Sequence, residues 1–193
     1  DFSLSRGLGD VYKRQLTDAA IVGHMPLNAT ASLAAVGIVS SFLSMLIWVL
    51  GQSRSAISSI ISQYLGANKL EEVKSLPAQA ITIILILSIL ICTATIPFSE
   101  AIFKFYNASG LLLDFSVEYY KIRIIGLPFT LYTFAIFGIF RGLQNTYHPM
   151  VIAIVGTSVN IILDLVLVYG ITSLIEPMNL EGAALASVLS QAL

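Results

Sequence analysis

The chain has 193 residues, 56% of them hydrophobic and only 11% charged, with a net charge of −1 and a mean hydropathy of +0.87. A soluble domain carries about 25% charged residues, so this composition excludes an ordinary soluble enzyme and marks an integral membrane protein. No basic patch points to nucleic acid, and Cys92, the only cysteine, excludes an internal disulfide or a cysteine metal cluster.

Residues 1–15, DFSLSRGLGDVYKRQ, are rich in charge and contain no apolar run. SRGLGDVYKRQ resembles translated sequencing-adapter sequence, and the segment is set aside as non-native. It contains Gly7, Gly9 and Asp10 in the GxGD pattern of presenilin-type intramembrane aspartyl proteases. That chemistry needs the aspartate inside a spanning helix, whereas Asp10 is flanked by Arg6, Lys13 and Arg14.

Leu16 to Met25 reads as the outer end of a helix that stops at Pro26, and it places Asp18 in a spanning segment. Residues 32–66 carry no charge except Arg54, and at 1.5 Å per residue they would reach about 50 Å, past the ~30 Å hydrocarbon core. Arg54 is expected to snorkel to the membrane boundary. Beyond a loop with Lys69, Glu71, Glu72 and Lys74, residues 76–99 are uncharged and apolar all round, which predicts a lipid-facing helix ending near Pro97.

After a connector at residues 100–110, a long segment over 111–143 is interrupted by Gly126 and Pro128, where a bend is expected. Its aromatics include Phe129 and Tyr132, candidates for an apolar substrate cavity together with Thr157 on the next helix, although aromatics at helical spacing more often serve packing. The turn Arg141 to His148 leads to a helix over 149–170, opened by Pro149 in its first turn. A further helix begins near 182. The whole is an all-α, polytopic transmembrane bundle.

The helix over 149–170 holds the most informative polar residues. Thr157, Asn160 and Asp164 stand at i, i+3 and i+7, which places them on one face of an otherwise lipid-soluble helix. A charged carboxylate at a bilayer centre costs roughly 2.5 to 3.5 kcal/mol on insertion scales, so such a residue is expected to be paired, protonated or ion-bound. The loops with Lys69, Lys74 and Arg141 belong inside by the positive-inside rule, although Lys104, Lys121 and Arg123 lie on the other side. With that topology Asp18, Asp164 and Ser187 fall at similar depth, roughly 8 to 11 Å from the outer helix ends.

These stretches together resemble the multidrug and toxic compound extrusion (MATE) family, most closely its DinF-like branch. The matching segments are TDAAIVGHM, the helix from LAAVGIVSS to ISQYLGA, IIGLPFTLYTFAIFGIFRGLQNTYHPM, NIILD and EGAALASVLSQ. The resemblance implies an antiporter of twelve helices in two six-helix lobes, of which this chain covers the amino-terminal lobe with its first and sixth helices truncated. It implies export of cationic or amphipathic compounds in exchange for Na⁺ or H⁺, with no other cofactor, from a bacterial inner membrane. The site residues it implies are Asp18, the Asn160 and Asp164 pair, and Ser187, where the family often has threonine; partners are membrane lipid, a small cationic or amphipathic substrate and the absent carboxyl-terminal lobe.

The implied mechanism alternates Asp18 and Asp164 between ion-paired or Na⁺-bound and protonated states. A lipid-linked oligosaccharide flippase of the same wider superfamily is a rival, but it would need cationic residues lining its cavity, and the spanning segments here offer acidic ones. A structural bundle without transport, in which Asn160 and Asp164 only glue helices together, is the other alternative.

Overall fold

A computed structural model describes residues 20, 22, 23, 28–170 and 177–192. Asp18, the set-aside residues 1–15 and the first helix before Ala20 lie outside the described residues.

Among the described residues the fold is entirely helical. Helix α1 (Ala29–Gly51) runs through Gln52 into α2 (Ser53–Gly66), and together they form one apolar span of 38 residues. The next span joins α3 (Leu70–Thr95), a 3₁₀ turn (Ile96–Phe98) and α4 (Ser99–Phe105). The third joins α5 (Leu111–Arg123), a 3₁₀ turn (Ile124–Gly126) and α6 (Leu127–Gly142). Helix α7 (Tyr147–Tyr169) is the fourth, and α8 (Asn179–Ala192) follows it.

All four spans are long and apolar enough to cross a membrane. Large side chains such as Val49, Ile83, Ile86, Leu90, Ile154 and Ile162 are exposed, as a lipid-facing surface requires and as a water-soluble monomer would not tolerate.

Two helix ends differ from the sequence expectation. Helix α3 starts at Leu70 rather than near 76, because Glu71 and Glu72 occupy its first turn, where carboxylates favour the helix dipole. Lys74 Nζ lies 2.7 Å from Glu71 and Lys69 Nζ 3.2 Å from Glu72, local i, i+3 pairs that support the same turn. Pro97 does not end the span: it occupies the start of a 3₁₀ turn, where no amide donor is needed, and α4 continues the direction of the chain. Residues 100–105, read as part of a connector, are therefore helical, within the seven-residue α4. Pro128 behaves as expected, sitting at the start of α6 after a 3₁₀ turn.

The core lies where these spans cross. In α5 the buried residues Ser116, Tyr119, Tyr120 and Arg123 follow i, i+3, i+4 and i+7, a single inward face. Phe103 and Tyr120 meet edge to face at 5.3 Å between ring centroids, with Phe42 against both. Tyr120 Oη donates to Thr95 Oγ1 at 2.6 Å, which ties α5 to α3. Helix α3 carries an inward row of Ile84, Ser88 and Cys92 and exposes Ile83, Ile86, Leu87, Ile89 and Leu90.

Helices α2 and α6 run parallel and in close contact. A Cβ on Gly138 would stand 2.7 Å from the Arg54 carbonyl oxygen, and one on Gly142 would stand 2.8 Å from Ile61 Cβ. Ser62 Oγ donates to the Gly142 carbonyl at 3.2 Å in the same seam.

Candidate functional site

Helix α7 is 23 residues long, yet its fully buried residues are Asn160, Asp164 and Val168. They are spaced by four, so they form one row, and most other large side chains of α7 are exposed. A lipid-soluble helix thus buries its amide and its carboxylate and exposes its isoleucines. Burial here is specific to the polar row.

That row faces α8, the helix with which α7 packs most extensively. The fit depends on small residues, since the buried set of α8 is Leu180, Gly182, Ala183, Ala184, Ala186, Ser187 and Ser190. A Cβ on Gly182 would fall 2.5 Å from the Leu167 carbonyl oxygen and 3.0 Å from the Val168 nitrogen, so only glycine permits this approach. Met178 N donates to the same Leu167 carbonyl at 2.9 Å, closing the turn between the helices.

Counting along the two antiparallel helices from that contact, Asp164 comes level with Ala186 and Asn160 with Ser190, and Ser187 lies within a turn of both. Exposure is 0% for Asn160 and Asp164 and 2% for Ser187. Neither side-chain atom of Asn160 has a hydrogen-bond partner among the described residues. Thr157 extends the row by a turn toward the start of α7, half-buried, with its Oγ1 shielded and likewise without a partner among the described residues.

An amide buried without a hydrogen bond costs roughly 1 to 3 kcal/mol, which a packing role alone does not recover. Carboxylate, amide and hydroxyl oxygens at one depth are hard donors of the kind that hold an alkali cation, and a carboxylate alone can hold a proton. The residues present therefore fit either ion.

Phe129 and Tyr132 are i, i+3 on α6 and are 40% and 41% exposed, whereas Tyr119 and Tyr120 are fully buried packing residues. Asp18 lies outside the described residues. Sequence reasoning missed the environment of Arg54. Its guanidinium does not extend toward solvent but lies over the Phe134 ring at 5.3 Å, and the residue is only 9% exposed. Nothing local predicts this, because Phe134 belongs to a different span.

Comparison with known proteins gives the fold a context. The MatE family model matches residues 11–166. DNA damage-inducible protein F of Escherichia coli (strain K12) is 28% identical over 177 residues, which are 91% of this chain and 37% of that protein. Multidrug export protein MepA of Staphylococcus haemolyticus (strain JCSC1435) is 29% identical over 133 residues, 69% of this chain and 28% of MepA. A crystal structure of a MATE protein in complex with MaD3S superposes with a TM-score of 0.84 at 24% identity, covering 96% of this chain and 40% of that one, a likeness of fold. The chain thus spans well under half the length of the relatives it matches.

Proposed function

This chain belongs to the MatE family, and from that premise we propose that it forms the ion-coupling lobe of a secondary transporter that exports cationic or amphipathic compounds in exchange for Na⁺ or H⁺. The observation that carries the proposal is the row of Asn160 and Asp164, wholly buried against the small-residue face of α8 that bears Ser187. MepA, a multidrug export protein by name, supports the substrate class.

In this reading Asp164 is the charge that changes partner. With Na⁺ bound, its carboxylate, the Asn160 amide oxygen and the Ser187 hydroxyl supply oxygens, and Asp18 supplies a second carboxylate from the first helix. With H⁺ bound, Asp164 is neutral and the row no longer holds a cation. Two carboxylates at one level in an apolar setting cannot both stay charged without a counter-ion, so ion arrival and release change how α7 and α8 pack. A bacterial inner membrane supplies the gradient.

The acidic character of the row favours a cationic cargo over the anionic lipid of a flippase. It also argues against helix-pairing glue alone, since glue would satisfy the Asn160 amide. In the whole protein, Asp164→Asn and Asp18→Asn should each abolish drug efflux while leaving the protein in the membrane. Efflux retained by both variants, measured as intracellular dye accumulation, would remove the assignment.

A further inference from the structure

A second polar cluster lies where α2 begins to pack on α6 and does not involve Asp164. The Arg54 backbone lies against Gly138 of α6, and Arg141 follows Gly138 by three positions, so the two arginines stand within about a helical turn of one another along the seam. Neither has a carboxylate within ion-pair distance among the described residues, where the ion pairs of the loops are Lys69–Glu72, Lys74–Glu71 and Lys104–Glu100. Arg54 Nε and the neighbouring Ser53 Oγ are both shielded from solvent and have no hydrogen-bond partner among the described residues. Two cations sharing a site with no anion, one of them nine-tenths buried, are an electrostatic deficit that a negative ligand would relieve.

The direction of the side chain identifies the ligand further. The Arg54 backbone is level with Gly138, yet its guanidinium lies over Phe134, one turn earlier in α6. It leans back along the helix toward the membrane, the ordinary lean of helical side chains, and away from the loop end of the span. About twenty residues cross the hydrocarbon core, so counting from Ala29 the boundary falls near Gly51, beside Phe134. Trp48 and Val49, one or two turns up the same span, are exposed apolar side chains beside which an acyl chain can lie. A phosphate at that depth belongs to a lipid headgroup.

We infer that Arg54, Ser53 and Arg141 form a binding site for the phosphodiester of an anionic membrane lipid at the membrane boundary of the α2–α6 seam. Arginine suits this role because its planar fork donates two hydrogen bonds to a phosphate, and pockets of this kind between spanning helices hold anionic headgroups. Phe134 keeps the fork flat and in place.

The test is native mass spectrometry of the full-length protein in detergent, titrated with phosphatidylglycerol, phosphatidylcholine or inorganic phosphate. One phosphatidylglycerol should bind about five- to tenfold more tightly than phosphatidylcholine, the difference expected of one or two added cation contacts. Arg54→Gln and Arg141→Gln should each remove that preference, and Arg54→Lys should keep part of it. If Arg54→Gln fails to fold because its stack on Phe134 is lost, the half-buried Arg141 gives the same readout without touching that stack. Equal binding of the two lipids, or a preference unchanged in Arg141→Gln, would overturn the inference. Displacement of the lipid by inorganic phosphate at equal concentration would overturn the lipid assignment in favour of a free-phosphate site.

Discussion

At the scale of single residues, the placement of a few polar atoms decides the chemistry of the bundle. Ser187 is assigned an oxygen in the coupling site, so Ser187→Ala should weaken the apparent ion affinity of transport by roughly tenfold, the effect of one hydrogen-bond or ligand contact to a charged group. Ser187→Thr should keep it. The Na⁺ and pH dependence of efflux in vesicles of the whole protein measures both. Tyr120 offers a contrast, because its hydroxyl bonds Thr95 at 2.6 Å far from the Asp164 row in sequence and on other helices. Tyr120→Phe should cost about 1 kcal/mol of stability in thermal unfolding and leave ion dependence unchanged. The row of Thr157, Asn160 and Asp164 was legible from spacing alone, since three polar residues on one face of a greasy helix have to look inward. The surroundings of Arg54 were not, because a residue's position near a helix end cannot reveal an aromatic face about eighty residues away in the chain.

At the scale of helices, close approach is set by glycine. Gly182 lets α8 lie directly on the Leu167 carbonyl, and that contact fixes the register between the Asp164 row and Ser187. Gly182→Leu should force the helices apart, cost about 1 to 3 kcal/mol and abolish transport even though no site residue has changed. Circular dichroism melting with an efflux assay checks both effects together. Gly110 has a different role. Its backbone, at φ 56° and ψ −138°, turns the chain into α5 in a conformation that side chains disfavour. The span lengths were readable from uncharged runs, but the helical continuation beyond Pro97 was not. A proline ends a helix or starts its next turn according to where the chain can pack, and Phe103, fully buried against Phe42 and Tyr120, draws α4 onward.

At the scale of the whole molecule, the bundle has a long belt of exposed apolar side chains, with Lys69, Lys74 and Arg141 at one end and Lys104, Lys121 and Arg123 toward the other. The orientation that puts the loops with Lys69, Lys74 and Arg141 inside is open to a direct check. Cys92 is buried, so it is a quiet background for introduced cysteines. Ser109→Cys should react with a membrane-impermeant maleimide on intact cells, whereas Ser75→Cys should react only after permeabilisation; the reverse pattern would invert the topology. Among the described residues α7 packs mainly on α8, with a smaller contact to α6, and its exposed face is apolar. In the proposed transporter this arrangement lets α7 and α8 shift together when the charge between them changes, without breaking the α2–α6 and α1–α5 contacts that hold the remainder.

In the proposed transporter the buried Asp164 couples an ion to export. Its most direct measurement is efflux of a cationic dye from inverted or right-side-out vesicles containing the whole protein, with an imposed Na⁺ or H⁺ gradient, compared between the parent and Asp164→Asn at equal membrane abundance. The gradient should drive dye movement in the parent, and dye movement in Asp164→Asn should not respond to it. Gradient-driven movement of equal rate in Asp164→Asn would contradict that coupling.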